Sequence, residues 1–79
     1  HFPDTERLQH ILQSLLTEIP VGNIEPGNVL LFCIDGRPQH MGIASDVGLI
    51  HAYAPARAVV EHGLDATWRG RIVAAYRLS

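Results

Sequence analysis

Asp35-Gly36 stands between two short apolar runs, and no other pair constrains this chain as strongly. Asp-Gly is a favoured centre for a two-residue hairpin turn, because both positions accept positive φ. The run before it, Val29–Ile34, is apolar throughout, and its Val, Phe and Ile favour a strand. With both faces apolar, that strand is expected to be covered on both. Residues 40–45 read as its hairpin partner. Asp46-Val47-Gly48 turns the chain again, residues 49–54 form a third strand, and Pro55 stops it. Residues 58–62 and 72–78 read as two further strands, with Val73 and Tyr76 as inward or cross-strand packers. The connection over 63–70 holds two core plugs, Leu64 and Trp68.

Ahead of the strands the period changes. Leu8, Ile11, Leu12, Leu15, Leu16 and Ile19 follow the i, i+3, i+4, i+7 spacing of one helical stripe. Asp4 or Thr5 serves as the cap, Glu6 suits the positive end of the helix dipole, and Pro20 ends the helix. Gln9, His10, Gln13, Ser14 and Thr17 take the polar faces, His10 as a solvated side chain. A loop over 21–28 with Gly22, Pro26 and Gly27 leads to the first strand. The expected architecture is α+β: a helix over 4–19 packed on a curled antiparallel sheet or half-barrel of about five strands over 28–79. With 79 residues there is room for one domain, and one this small buries only about 60% of its unfolded surface.

Composition excludes several classes. Hydrophobic residues at 47% and charged residues at 18% are those of a globular chain. The net charge is −2 and the six basic residues form no long run, so there is no nucleic-acid footprint. No apolar stretch approaches the roughly 20 residues of a membrane span, and no signal peptide is recognisable. The single cysteine, Cys33, excludes an intrachain disulfide. Inside an apolar strand it reads as a small buried hydrophobe with an inert thiol. The start at His1 rather than Met suggests a fragment or a processed product.

Chemistry concentrates in residues 39–53, which carry His40 and His51 on two apolar runs joined by a turn. Such a pair can act as a general base and its orienter. It can bind a metal, although only Glu61 and His62 stand near as further ligands and no ligand spacing is recognisable. It can also be ordinary polar residues at a sheet edge. Pairing Ser45 with Leu49 would set His51 opposite Ile43, with His40 three residues further on. That places the two backbones about 10 Å apart and the side chains on opposite faces. A bulge, a strong twist or a different turn would bring them together. Gly42 marks either the close approach of another group or a plain bulge.

Pro26-Gly27-Asn28-Val29-Leu30-Leu31-Phe32, then Gln39-His40-Met41-Gly42-Ile43-Ala44, then Leu49-Ile50-His51-Ala52 resembles the second half of an NlpC-type cysteine peptidase. These are papain-like enzymes that cleave the peptides of bacterial cell walls. Val59-Val60-Glu61-His62 and the segment from Trp68-Arg69-Gly70 to Tyr76-Arg77 are similar to the subgroup of phage tails, prophages and gene-transfer particles. The resemblance covers residues 19–78 and implies the sheet lobe of a papain-like fold. It makes His40 the catalytic base, later the acid that protonates the leaving amine, and His51 the polar residue that orients it. It implies no cofactor and no metal. Asn28 stands where the family has an acid, and Met41 where valine is common.

The family nucleophile begins a helix, in an Asp-Cys context upstream of the Pro-Gly turn, and no such motif occurs here. Cys33 lies downstream of that turn and does not match. Three accounts follow: the C-terminal part of a longer peptidase, a noncatalytic relative serving in a phage-like tail, or a site completed by a cysteine from a second chain. The first is expected to leave apolar strand faces uncovered. On the enzyme reading the substrate is a peptidoglycan peptide, the partners are the missing N-terminal half or tail proteins, and the location is a bacterial envelope, periplasm or phage-like particle. The competing class is a structural or cell-wall-binding module. The placement of His40 and His51 separates the two: rings meeting at a cleft support the enzyme.

Overall fold

The change of apolar period near residue 20 divides the chain into a helix and a sheet, and the computed structural model, which describes residues 4–78 apart from the side chains of residues 4–6 and 39, has that division. Helix α1 spans Asp4–Leu15. Strands β1 (Thr17–Ile19), β2 (Val29–Ile34), β3 (Arg37–Ala44), β4 (Leu49–Tyr53), β5 (Ala58–His62) and β6 (Ile72–Arg77) form one sheet, and a one-turn helix α2 (Ala66–Arg69) precedes β6. The order is β1-β6-β2-β3-β4-β5, with every neighbouring pair antiparallel. The fold is therefore α+β, and among the described residues it has one open antiparallel sheet of six strands rather than about five. The cap at Asp4 or Thr5 and the acid at Glu6 lie outside the described side chains, as do His1–Pro3.

The additional strand comes from the expected end of the helix. Leu16 donates its N–H to the Leu12 carbonyl at 2.8 Å, closing the last helical turn at Leu15 instead of continuing to residue 19. Ser14 Oγ donates back to the His10 carbonyl at 2.9 Å, a local bond that competes with helix propagation. Thr17 and Ile19 are β-branched, and Ile19 precedes Pro20, which disfavours helical geometry there. Thr17, Glu18 and Ile19 pair with Arg77, Tyr76 and Ala75, satisfying an edge of β6 that would otherwise be bare.

Only part of the helical stripe is buried. Leu12 packs against Leu31, Ala74 and Tyr76, with Leu8 and Leu16 beside it. Ile11 and Leu15 are exposed, and Ile19 joins the cluster on the opposite sheet face. That second cluster is built on Leu30, Phe32, Leu49 and Trp68, with Leu64 packed against it. Strand β2 is thus covered on both faces as its composition predicts, and Leu30, Leu31 and Phe32 are wholly inaccessible. Each such side chain contributes about 1.5–3 kcal/mol by burial. Met41, Ile43 and Val59 are among the large apolar side chains left exposed.

The Asp35-Gly36 turn forms as read, with φ of 53° and 76° and Ile34 paired to Arg37. Two bulges lie near it. Gln39 is the extra residue of β3 between the partners of Phe32 and Cys33, and Val73 is the extra residue of β6 between the partners of Leu31 and Phe32. Val73 is consequently exposed rather than a core packer, whereas Tyr76 is fully buried. Both bulges bend the sheet at the end where the histidines lie.

Candidate functional site

The turn between β3 and β4 decides whether the histidines meet. Ser45 donates its N–H to the Gly48 carbonyl at 3.1 Å, and its Oγ accepts the Gly48 N–H at 3.0 Å. The loop therefore takes residues 45–48, and Ala44, not Ser45, pairs with Leu49. This corrects the expected register by one residue. Because strand side chains alternate, that single step reverses which face each side chain takes. His51 now stands beside Gly42, whose missing Cβ would lie 3.3 Å from the His51 Cβ. His40, two residues from Gly42, shares its face. Of the two roles read for Gly42, close approach is the one realised.

His40 Nε2 lies 2.7 Å from His51 Nδ1, a hydrogen bond between nearly perpendicular rings. The contact continues beyond the expected pair. His51 Nε2 lies 2.8 Å from His62 Nε2, and His62 Nδ1–H donates to the Gly63 carbonyl at 2.8 Å. His62 reaches this position because β5 pairs Val60 with His51 and Glu61 with Ile50, which puts His62 diagonally across from His51 on one face.

All three rings rest against Trp68, with centroids 5.8, 4.6 and 5.8 Å from the indole for His40, His51 and His62. Trp68 is delivered by α2, whose N-cap Asp65 accepts the Trp68 N–H at 2.9 Å. Phe32 packs edge-on to the indole at 5.3 Å, and the Arg71 guanidinium lies over it at 4.8 Å. A cleft of about 330 Å³ opens beside His40 and is lined by Tyr53, Pro55, Trp68 and Arg71 among others.

Burial sets the charge state. His51 is 3% exposed. Desolvation holds His51 below the ordinary histidine value of 6.5, and the flanking His40 and His62 rings push the same way. His40 is also lowered, first by desolvation and then by the Arg71 guanidinium. Both imidazoles are therefore neutral at pH 7, the state in which a ring nitrogen can accept a proton.

The remaining candidates fall elsewhere. Cys33 follows Phe32 on the unbulged strand β2, so it faces away from His40 along with Leu31. His10 is exposed on α1, as its place on the polar face predicts. Glu61 points to the face opposite His62. Among the described residues no group of three or more His, Cys, Asp and Glu side chains is placed to hold a metal ion. Sequence reasoning considered His62 only as a metal ligand and Trp68 only as a core plug. The signal that would have found α2 is Asp65 three residues before Trp68, an N-cap spacing. The signal for His62 is the β4–β5 register: once Val60 stands opposite His51, His62, two residues on, takes the same face.

The sequence matches no protein-family model and no curated protein. Among the described residues no helix is long and apolar enough to cross a membrane.

Proposed function

We propose that this chain is the base-bearing lobe of a papain-like cysteine endopeptidase or amidase acting on peptidoglycan peptides, in the tail of a phage-like particle or at the bacterial envelope. The observation that carries the reading is the 2.7 Å contact between His40 and His51, on one sheet face and beside a cleft. A neutral His40 with an open ring nitrogen takes the proton of a thiol placed in that cleft and returns it to the leaving amine. His51 holds the ring and stabilises the imidazolium that forms. Cys33 lies across the sheet from His40, so the nucleophile comes from a segment outside these residues or from another chain.

The second reading is a noncatalytic module of a tail assembly or a cell-wall-binding module. It is favoured by the absence of a thiol on the histidine face among the described residues and by the exposed apolar patch of Met41, Ile43 and Val59. The product of the complete reading frame, assayed on purified peptidoglycan, separates the two. The enzyme reading expects hydrolysis that falls at least about a hundredfold in His40→Ala, labelling of a reactive thiol other than Cys33, and no hydrolysis by residues 1–79 alone. Unchanged hydrolysis in His40→Ala, or none by the complete product, overturns it.

A further inference from the structure

The two inter-ring hydrogen bonds and the bond to Gly63 form one continuous chain: His40, His51, His62, carbonyl. Only the last member has no choice of role. A carbonyl oxygen accepts and cannot donate, so His62 Nδ1 must carry a hydrogen. With one proton on that ring, His62 Nε2 is bare and accepts from His51 Nε2–H. A neutral His51 then presents a bare Nδ1, which accepts from His40 Nε2–H. The hydrogen-free nitrogen left over is His40 Nδ1, which makes no hydrogen bond among the described residues.

Counting protons gives the same answer. The chain offers four proton positions: two inter-ring bonds, the bond to Gly63, and His40 Nδ1. With one proton per ring, three protons fill the four positions and the vacant one is His40 Nδ1.

We propose that His62 is a positioning residue, locked by the Gly63 carbonyl, that orders the protons of His51 and His40 so that the single basic nitrogen of the cluster is His40 Nδ1. This deepens the lobe reading above and rests on it for its catalytic consequence. A proton taken from a thiol can only enter at His40 Nδ1. If the two inter-ring protons then each move one ring along, His40 and His51 are neutral again and the charge sits on His62. That end of the chain is half-exposed and adjoins an exposed Gly63, whereas His51 is buried. The charge therefore has a route from a dry site toward water without any ring turning.

The surroundings do not compete with this order. Arg71, over Trp68, is the charged group that acts on His40 and disfavours charge there. Tyr53 and Trp68 meet His51 with ring contacts only. On α2, Asp65 is committed to the Trp68 amide and Arg69 to the Leu64 carbonyl. Glu61 faces across the sheet, and Phe32 of β2 supplies no titratable group.

Ring-nitrogen NMR on the uniformly 15N-labelled 79-residue chain tests the proposal. At pH 7.5 the expected tautomers are Nε2–H for His40 and His51 and Nδ1–H for His62. Replacement by His62→Phe removes the lock, and His40 Nδ1 should then change from hydrogen-free to an average of the two tautomers. The wild-type tautomers decide the matter even where that variant does not fold. Nδ1–H on His40 or His51, or an unchanged His40 Nδ1 in a folded His62→Phe, would each overturn the proposal. None of these results depends on hydrolysis, so the proton order and the peptidase reading fail separately.

Discussion

A hydrogen atom in place of a side chain at Gly42 is what allows β3 and β4 to bring His40 and His51 together. A Cβ there would lie 2.5 Å from Leu49 Cδ1 and 3.0 Å from the Ile50 carbonyl oxygen. Leu49 is fully buried and has little room to retreat. Gly42→Ala should therefore cost about 1–3 kcal/mol, as overpacking does. It should also weaken the His40–His51 contact, a change visible as a lower urea midpoint together with loss of the hydrogen-bonded ring-proton signal. Tyr76 presents the opposite case. Its hydroxyl is buried with no hydrogen-bond partner among the described residues, and burial, followed by Glu18, pushes its pKa upward. Removing an unsatisfied group is nearly neutral or stabilising, so Tyr76→Phe should hold or raise the urea midpoint. A loss of more than about 1 kcal/mol would show that the hydroxyl is in fact bonded.

At the scale of elements, the shortest helix has the largest influence on the site. Four residues cannot sustain a helix by propagation alone. Its Asp65 cap and the packing of Trp68 hold it, and in return Trp68 forms the wall on which the three histidine rings rest. Asp65→Ala should cost about 1 kcal/mol. The emission of Trp68, the chain's single tryptophan, should move toward that of a more exposed indole before global melting. An unshifted emission with an unchanged melting temperature would show that packing alone places Trp68. The β3–β4 loop has comparable leverage. Its Ser45–Gly48 bonds select four residues over three, and the histidine pair depends on that choice.

For the whole molecule, the neutral histidines couple stability to pH. His40 and His51 have pKa values below 6.5 when folded and near 6.5 when unfolded. Below pH 6.5 the unfolded chain thus binds more protons than the folded one, and stability falls as pH falls. Their stabilising contribution is complete above about 6.5 and is lost as pH drops toward the lowered folded values. Melting temperatures taken from pH 8 downward should hold to about pH 6.5 and then decline, more than in His51→Gln. A flat profile through pH 5 would rule out buried neutral histidines. The same scale holds the asymmetry of the sheet: Leu12 of α1 packs on Leu31, Ala74 and Tyr76, while Met41, Ile43 and Val59 remain exposed.

Local chemistry alone made several features legible. The Asp35-Gly36 turn, the apolar β2, the N-terminal helix and the position of β5 follow from turn residues, apolar period and breakers within a few residues. The existence of a two-histidine motif was legible in the same way. Long-range pairing decided the rest. Whether residues 17–19 continue a helix or join a sheet depends on the free edge of β6, nearly sixty residues away. Whether His40 and His51 share a face depends on one residue of loop length, because strand side chains alternate with a period of two. The entry of His62 and Trp68 needs three connections to be placed at once. Sequence by itself determined which elements form and which residues carry chemistry; only the tertiary structure decided which of those residues touch, because contact across a sheet is set by register, and register is a property of the assembled strands.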